Sequence, residues 1–348
     1  MVELNAVKNL QIKEGQIKFD IETTASGPAV EELRTECERR LSGVEGVTAI
    51  EIGMKTHPKP AQPAQPSHAH AHASRGPAKI ALPTVRNVIA VASGKGGVGK
   101  STVTSNLAVA LKQRGARVGL LDADIYGPSI PLMFGVKDER PREGEGNRVS
   151  PVERDGIKLM SMGFMVPDDR PVISRGPMVH GALTQFMTQV DWGELDYLLI
   201  DMPPGTGDAQ LTISQSAPLT GAIIVTTPQE VSLIDARKGL QMFENVSVPI
   251  LGVVENMAGF VCGHCEEVTH IFKKGGGADI AKQMSVPLLG SIPLDPRVTE
   301  GGDVGDPIVH RHPQSQVAEI YRDIADAVVA QLDNFKEAAF KPLSLEWQ

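Results

Sequence analysis

Most apolar residues of this chain stand in short unbroken runs, and helical patterns separate one run from the next. The runs are NVIAVAS, RVGLLDAD, YLLIDMP, GAIIVTTP, ILGVVENM and PLLGSIP. A strand that is apolar at nearly every position is typical of a parallel sheet covered by helices on both faces. The pattern therefore predicts an α/β fold with a mostly parallel sheet flanked by helices over residues 85–332.

The N-terminal part of the chain has a different pattern. Residues 16–24 (QIKFDIETT) alternate like a half-buried strand, residues 28–43 have the spacing of an amphipathic helix, and residues 47–54 return as a strand. A stretch rich in Pro, Ala and His follows. The predicted organisation is a small α+β domain over residues 1–56, a linker over 57–84, the α/β domain over 85–332 and a C-terminal tail over 333–348.

Composition and charge exclude two classes of partner. The net charge is -8 and aromatic residues make up 4% of the chain, so we expect no basic or stacking surface for nucleic acid. No stretch approaches the roughly 20 apolar residues of a membrane span, and the N-terminus lacks the apolar segment of a signal peptide. Three cysteines are too few for a disulfide framework. We therefore predict a cytoplasmic protein that binds neither nucleic acid nor membrane.

The segment SGKGGVGKST, residues 93–102, has the spacing of a phosphate-binding loop between a strand and a helix. Backbone N–H groups of the loop and of the helix N-terminus would surround the phosphates. Lys100 would neutralise the β- and γ-phosphate oxygens of ATP, and the Ser101 hydroxyl would bind Mg²⁺. The candidate nucleotide-binding residues of this segment are Gly94, Lys95, Gly96, Gly97, Val98, Gly99, Lys100, Ser101 and Thr102.

Carboxylates follow two further predicted strands, where ligand groups lie in an open α/β sheet. Asp122 and Asp124 belong to LLDADIYGPS, and Asp201 belongs to LLIDMPPGTGD. Asp201 suits the Walker-B position near Mg²⁺, and Asp124 suits orientation of the attacking water. A helix cap is the alternative interpretation for an aspartate at a strand end, and it applies most to Asp122.

Three segments together resemble the SIMIBI class of P-loop ATPases. GKGGVGKS resembles its deviant Walker A motif, DADIYGPS its switch I and DMPPGTGD its switch II. The resemblance implies slow ATP hydrolysis in a homodimer, in which Lys95 of one protomer reaches the phosphates bound to its partner. The same resemblance places Asn256, Pro293 and Asp295 on the adenine side of the nucleotide.

Cys262 and Cys265 form a C-x-x-C pair. Such a pair is ambiguous among a redox dithiol, half of a zinc site and half of an iron–sulfur site. A redox pair usually begins a helix, whereas this pair follows a strand and a bend. Zinc and iron–sulfur sites need four ligands, and the third cysteine, Cys37, lies in the small domain. Two ligands per chain make four only in a symmetric dimer.

The motifs DIYGPS, RGPM (Arg175–Met178) and NMAGFVCGHC narrow the resemblance to the Mrp/ApbC iron–sulfur cluster carrier ATPases. This resemblance implies a homodimer that binds ATP, magnesium and a bridging [4Fe–4S] cluster held by Cys262 and Cys265. It also implies that the cluster passes to apo iron–sulfur proteins, with cluster assembly scaffolds as further partners. The N-terminal part resembles a shortened MIP18-like domain, and Ser174 replaces a tryptophan usual before RGPM.

Other functions remain as alternatives on the sequence alone. A positioning or partition ATPase uses the same nucleotide dimer, but it needs a basic tail or surface, and the tail DNFKEAAFKPLSLEWQ is poor in basic residues. A zinc-bridged scaffold would not need Ser101, Asp124 and Asp201 together. An electron-transfer reductase like the nitrogenase iron protein has widely separated cluster cysteines. We therefore favour the cluster carrier.

Overall fold

The structure, a computed structural model, describes residues 7–13, 16–23, 28–44, 47–56, 80–144, 146, 148–165, 176–262, 264–265 and 267–340. The chain divides into two compact units, residues 1–73 and residues 74–348. The linker predicted over residues 57–84 lies outside the described residues as far as residue 79, as do Ser174 and Arg175.

The smaller unit is a three-stranded sheet with one helix. Its elements are β1 (Val7–Lys13), β2 (Gln16–Thr23), α1 (Pro28–Ser42) and β3 (Ala49–Thr56). β2 pairs antiparallel with β1 and parallel with β3. Phe19, Ile21, Cys37 and Ile52 form its small core. β2, α1 and β3 agree with the sequence pattern, whereas β1 is a strand that the pattern did not predict.

The larger unit alternates strands and helices. Its first half contains β4 (Val85–Ala92), α2 (Lys100–Gln113), β5 (Val118–Asp122), α3 (Ile130–Met133), β6 (Arg142–Glu143), β7 (Val149–Ser150), β8 (Val152–Arg154), β9 (Ile157–Ser161), a 3₁₀ turn (Met162–Phe164) and α4 (Gly176–Thr188). Its second half contains β10 (Leu195–Asp201), α5 (Asp208–Ser216), β11 (Gly221–Thr226), α6 (Glu230–Asn245), β12 (Ile250–Val261), β13 (Val268–Thr269), α7 (Gly276–Gln283), β14 (Leu288–Leu294), α8 (Pro296–Val304), α9 (Ile308–Arg311) and α10 (Gln316–Phe340). The final helix thus continues beyond the boundary predicted at residue 332.

One sheet organises the larger unit. Its strands run in the order β13-β12-β11-β4-β10-β5-β9-β8, and β14 also pairs with β12. The pairs from β14 through β12, β11, β4, β10 and β5 to β9 are parallel, while β8 and β13 are antiparallel to their neighbours. This arrangement confirms the predicted α/β fold class with a mostly parallel sheet.

The two faces of the sheet support two separate cores, because successive side chains of a strand point to opposite faces. On β4, Ile89 and Val91 pack with α2 and α10, whereas Val88, Ala90 and Ala92 pack with α4 to α7. Burial on both faces explains why the strands are apolar without alternation.

The carboxyl ends of the parallel strands bring the predicted polar residues to one edge. Asp201, the last residue of β10, pairs with Asp122 of β5 on one side and with Val91 of β4 on the other. The segment that follows β4 therefore lies beside both aspartates. Among the described helices, none combines the length and apolar character that a membrane crossing requires.

Candidate nucleotide site and cysteine pair

The loop between β4 and α2 adopts a conformation that glycine favours. Gly97 and Gly99 have φ values of 78° and 82°, in the left-handed region where a Cβ costs energy. A Cβ on Gly99 would also collide with the Asn256 side-chain amide. The Gly99 carbonyl accepts the Val103 N–H at 2.9 Å, which begins the helix. The first turn of α2 therefore presents its N-terminus to the loop.

Asp201 is the centre of a buried polar cluster at this helix N-terminus. Lys100 Nζ lies 2.7 Å from Asp201 Oδ2, and both side chains are buried. The Ser101 hydroxyl donates to the same oxygen at 2.6 Å, and the Thr104 hydroxyl lies 2.7 Å from Asp201 Oδ1. The loop lysine, the loop serine and the β10 aspartate thus meet as their motifs predict.

The donor set of this cluster fits Mg²⁺. The ion prefers hard oxygen ligands and usually binds through one or two protein groups together with substrate phosphates. Ser101 Oγ and an Asp201 carboxylate oxygen already lie within 2.6 Å of one another. These two residues are the ones that would hold the ion, which in a P-loop site neutralises charge on the β- and γ-phosphates.

Asp122 and Asp124 are separated by one residue but have different surroundings. Asp122 is fully buried and accepts the N–H groups of Ser129 and Ile130 and the Ser161 hydroxyl, at 3.0 to 3.2 Å. Its carboxylate caps α3. Burial, and secondarily the Asp201 carboxylate, raise the pKa of Asp122 to about 7. For Asp122, the cap interpretation from the sequence describes what its carboxylate contacts.

Asp124 is half-buried beside the nucleotide loop. Its backbone N–H donates to Asp122 Oδ1 at 3.1 Å, and its own Oδ1 accepts the Gly127 N–H at 3.3 Å. Burial raises the pKa of Asp124, and the charge of Lys100 partly opposes this shift. Asp122 therefore holds the backbone that carries Asp124. The water-orienting role of Asp124 stays a prediction.

Lys95 contrasts with Lys100, although the two lie in the same loop. Lys100 is buried against Asp201, whereas Lys95 is exposed. Within the described part of the chain, no carboxylate pairs with the Lys95 ammonium. Because the Lys95 side chain is exposed and no described carboxylate pairs with it, its ammonium is accessible to a ligand outside the loop.

The three residues predicted on the adenine side of the nucleotide have different surroundings. Asn256 of β12 donates its amide to the Val98 carbonyl at 2.9 Å and so supports the nucleotide loop itself. Pro293 lies near the end of β14. Asp295 caps α8 by accepting the Arg297 N–H at 2.9 Å, and its ion pair with the Arg297 side chain lowers the pKa of Asp295. Their contact with adenine stays a prediction.

Two buried polar residues of this site were not found from the sequence. Ser93 lies between β4 and the loop, and Gln210 lies in α5. Gln210 Nε2 donates to the Pro203 carbonyl at 2.7 Å and lies 3.3 Å from the Ser93 carbonyl. A glutamine inside a helical pattern carries no local signal of the Ser93 contact, because Ser93 is 117 positions away.

Cys262 and Cys265 lie in the turn of a hairpin at the far end of β12. Beyond Asn256, β12 passes through Met257, whose φ is 58°, and a register shift before it pairs with β13. The Cys262 N–H donates to the Glu267 carbonyl at 3.0 Å and closes the turn. Cys265 is exposed and Cys262 is half-buried.

The hairpin turn favours the thiolate of Cys262. Hydrogen bonds from the backbone of Cys265 and His264 lower the pKa of the Cys262 thiol, and thiolate is the form that binds metals. Among the described residues, no group of three or more His, Cys, Asp and Glu side chains could hold a metal ion. The role of Cys262 and Cys265 as metal ligands stays a prediction, and Cys37 belongs to the core of the smaller unit.

Comparison with known families shows which family the chain belongs to. Residues 84–329 match the model of the NUBPL iron-transfer P-loop NTPases. The chain belongs to that family. Residues 1–52 also match the model of an iron–sulfur cluster assembly protein. The resemblance to Mrp/ApbC carriers with a MIP18-like N-terminal part is thereby confirmed.

Relatives of this NUBPL-family chain carry consistent names. The iron–sulfur cluster carrier protein of Synechocystis is 45% identical over 337 residues, which cover 95% of this chain and 92% of the relative. The iron–sulfur cluster carrier protein of Aquifex aeolicus is 54% identical over 245 residues, which cover 70% of this chain and 67% of the relative.

A solved structure shares the architecture of the NTPase unit. It is a nucleotide-binding protein from Archaeoglobus fulgidus, in complex with ADP and with cobalt, at 40% identity and a TM-score of 0.60. The match covers 68% of this chain and 93% of that protein. The family and fold are therefore established, whereas the roles assigned above to individual residues and the cytoplasmic location stay predictions.

Proposed function

We propose that this NUBPL-family chain carries a [4Fe–4S] cluster between two copies of itself and delivers it to apo-proteins under the control of ATP hydrolysis. The observation that carries the proposal is that one strand, β12, contacts the nucleotide loop through Asn256 and ends at the cysteine pair. The names of the relatives as iron–sulfur cluster carriers support the same conclusion.

The nucleotide site supports ATP binding by one protomer. Lys100 exchanges its contact with Asp201 for the β- and γ-phosphates, and the loop N–H groups bind phosphate oxygens. Ser101 and Asp201 hold the magnesium ion. Asp124 accepts a hydrogen bond from the attacking water and directs it toward the γ-phosphate. Lys95 completes the site of the opposite protomer, which limits hydrolysis to the dimer.

The cysteine hairpin supports a site shared by two protomers. Cys262 and Cys265 supply two thiolates, and a cubane cluster needs four ligands. A twofold axis through the turn supplies the second pair from the same two residues of the partner. Exposure of Cys265 leaves the cargo accessible to a recipient protein, and the proposed recipients are apo iron–sulfur proteins.

Anaerobic reconstitution tests the cargo. Reduced protein is incubated with iron and sulfide, and the visible spectrum, iron and sulfide content and molar mass are measured. We expect about four irons per dimer, as a four-ligand cubane site implies. Cys262→Ser and Cys265→Ser should each lose the cluster, whereas Cys37→Ser is the matched control and should retain it.

The same measurements separate the alternatives. A cluster on a strictly monomeric protein would contradict the shared site. Tight binding of one zinc ion per dimer, without uptake of iron and sulfide, would identify a zinc-bridged scaffold instead. Transfer is tested by adding apo-aconitase to the loaded dimer, with recovery of aconitase activity as the readout.

A further inference from the structure

The side chain of Lys95 is exposed, but its backbone is hydrogen-bonded to Ser93, which in turn is hydrogen-bonded to the segment after β10. The Ser93 hydroxyl donates to the Lys95 carbonyl at 3.0 Å, which fixes the peptide that follows Lys95. Ser93 itself is buried. The side chain of Lys95 is therefore exposed, but its Cα has a fixed position relative to the end of β4.

Residues after β10 bind the backbone carbonyl of Ser93. The Ser93 carbonyl accepts the Gly205 N–H at 3.1 Å and lies 3.3 Å from Gln210 Nε2. Gln210 is buried and also donates to the Pro203 carbonyl at 2.7 Å. A single side-chain amide thus connects the segment after Asp201 with the residue that positions Lys95.

A side chain that acts on a distant ligand benefits from such a connection. Lysine has four rotatable bonds and loses much conformational entropy when its ammonium is fixed. Fixing the backbone in advance removes part of that cost, and a misplacement of about 1 Å can reduce a rate roughly a hundredfold. Neither Ser93 nor Gln210 needs to contact nucleotide for this effect.

We propose that Ser93 and Gln210 are positioning residues for Lys95, and that they couple the segment after β10 to the lysine donated to the partner's nucleotide. The inference rests on the proposed action of Lys95 across the dimer. The loop thus has two functions. Lys100 binds the nucleotide of its own protomer, whereas the Ser93 contact positions Lys95 toward the nucleotide of the other protomer.

Heterodimers purified through two different tags test this assignment. One protomer carries Lys100→Ala, so it binds no nucleotide but donates Lys95. The other carries Lys95→Ala, so it binds nucleotide but donates no lysine. This parent heterodimer has one complete site, and its ATPase rate should be about half that of the wild-type dimer if Lys95 acts like an arginine finger.

Ser93→Ala is then placed on either protomer of the parent heterodimer. On the Lys100→Ala protomer, it releases the donated Lys95, and kcat should fall about tenfold to a hundredfold with KM for ATP unchanged. On the Lys95→Ala protomer there is no lysine to position, and the rate should stay within about twofold of the parent. Gln210→Met, which keeps the side-chain length but removes the donor, should show the same asymmetry.

Two controls isolate the hydroxyl contact. Ser93→Thr retains the hydroxyl and should restore kcat on the lysine-donating protomer. Ser216→Ala removes a buried hydroxyl that donates to the Thr212 carbonyl inside α5, and it should leave kcat unchanged on either protomer.

A loss of rate confined to the Lys95→Ala protomer would overturn the inference, because Ser93 would then act on the nucleotide of its own protomer. Equal losses on both protomers would also overturn it, because the effect would not depend on which protomer donates Lys95. An inactive parent heterodimer is a separate result. It would contradict the action of Lys95 across the dimer, and the nucleotide part of the proposed function would fall with the inference.

Discussion

The nucleotide loop and the cysteine hairpin are built in opposite ways. At the loop, Lys100, Ser101 and Thr104 all contact the buried carboxylate of Asp201, so each of these side chains has a partner within its own chain. At the hairpin, Cys265 is exposed, and one backbone hydrogen bond closes the turn. The loop side chains are held by contacts within one chain, whereas the hairpin is proposed to carry half of a ligand set.

This difference indicates what determines the binding free energy at each site. A preorganised loop loses little conformational entropy when it binds a ligand, so most of the contact energy appears as affinity. A shared site links ligand binding to association, so its affinity depends on protein concentration. Changes in the loop should therefore alter affinity in each protomer, while changes in the hairpin should alter assembly.

Replacement of the loop lysine should have the largest effect. Lys100→Ala removes the charge that would hold the phosphates and leaves Asp201 buried without its partner, a change that costs roughly 3–5 kcal/mol in comparable pairs. That cost falls on the stability of the fold; since each charge-assisted contact to phosphate is worth about 1.5–3 kcal/mol, we expect ATP affinity, measured by calorimetry, to fall about a hundredfold.

Two variants serve as controls for that measurement. Lys112→Ala, at the other end of the same helix, should bind ATP like the wild type. Cys265→Ser should also do so, because the Cys265 side chain is exposed at the turn beyond the end of β12. Loss of ATP affinity in Cys265→Ser would contradict the separation of the two sites.

A glycine in the loop should show the next largest effect. Gly99→Ala places a Cβ at a φ of 82° and against the Asn256 amide, so urea unfolding should show a loss of about 2–4 kcal/mol in stability. Gly115→Ala is the matched control, with a φ of 86° and no atom near its Cβ. It should cost only the conformational part, about 1–2 kcal/mol. Equal losses would mean that Asn256 moves aside freely.

Cysteine reactivity should show the smallest effect, a difference in alkylation rate. In reduced, metal-free protein the Cys262 thiol has a pKa below its ordinary value of 9.0, whereas burial raises the pKa of Cys37. At neutral pH, iodoacetamide should modify Cys262 at least about tenfold faster, as followed by mass spectrometry of peptides.

The pH dependence of the same reaction has a definite sign. Because the thiolate reacts, the midpoint of the Cys262 rate should lie below pH 9, and the midpoint of the Cys37 rate should lie above it. Identical pH midpoints for the two cysteines would contradict the stabilisation of the Cys262 thiolate by the turn.

Local patterns predicted much of this molecule, and long-range contacts account for what they did not predict. The apolar runs predicted β4, β5, β10, β11, β12 and β14, because burial on both faces affects every position of a strand. β1 was missed because a register shift between Lys8 and Gln11 interrupts its alternation, with Asn9 at a φ of 52°.

The same distinction applies to the nucleotide site. The phosphate loop is contiguous, so its spacing alone predicted Lys100 and Ser101. The sequence favoured Asp122 as the helix cap, but it could not predict the contacts with the Ser129 N–H and the Ser161 hydroxyl, because these depend on how β5, α3 and β9 come together. Gln210 was missed since its acceptor, the Ser93 carbonyl, is 117 positions away.

Strand β12 determines the distance between the nucleotide loop and the cysteine hairpin, because it contacts the loop and ends at the hairpin. Asn256 holds the Val98 carbonyl, and Cys262 follows six positions later in the same segment. Regular alternation of side chains resumes at Phe260, beyond the irregular Met257, so insertion of one residue after Phe260 would turn the hairpin to the opposite side of the sheet. Insertion of two would restore the side but displace the cysteines by about 7 Å. Two copies with such insertions could keep their nucleotide loops intact and still fail to align their sulfur atoms.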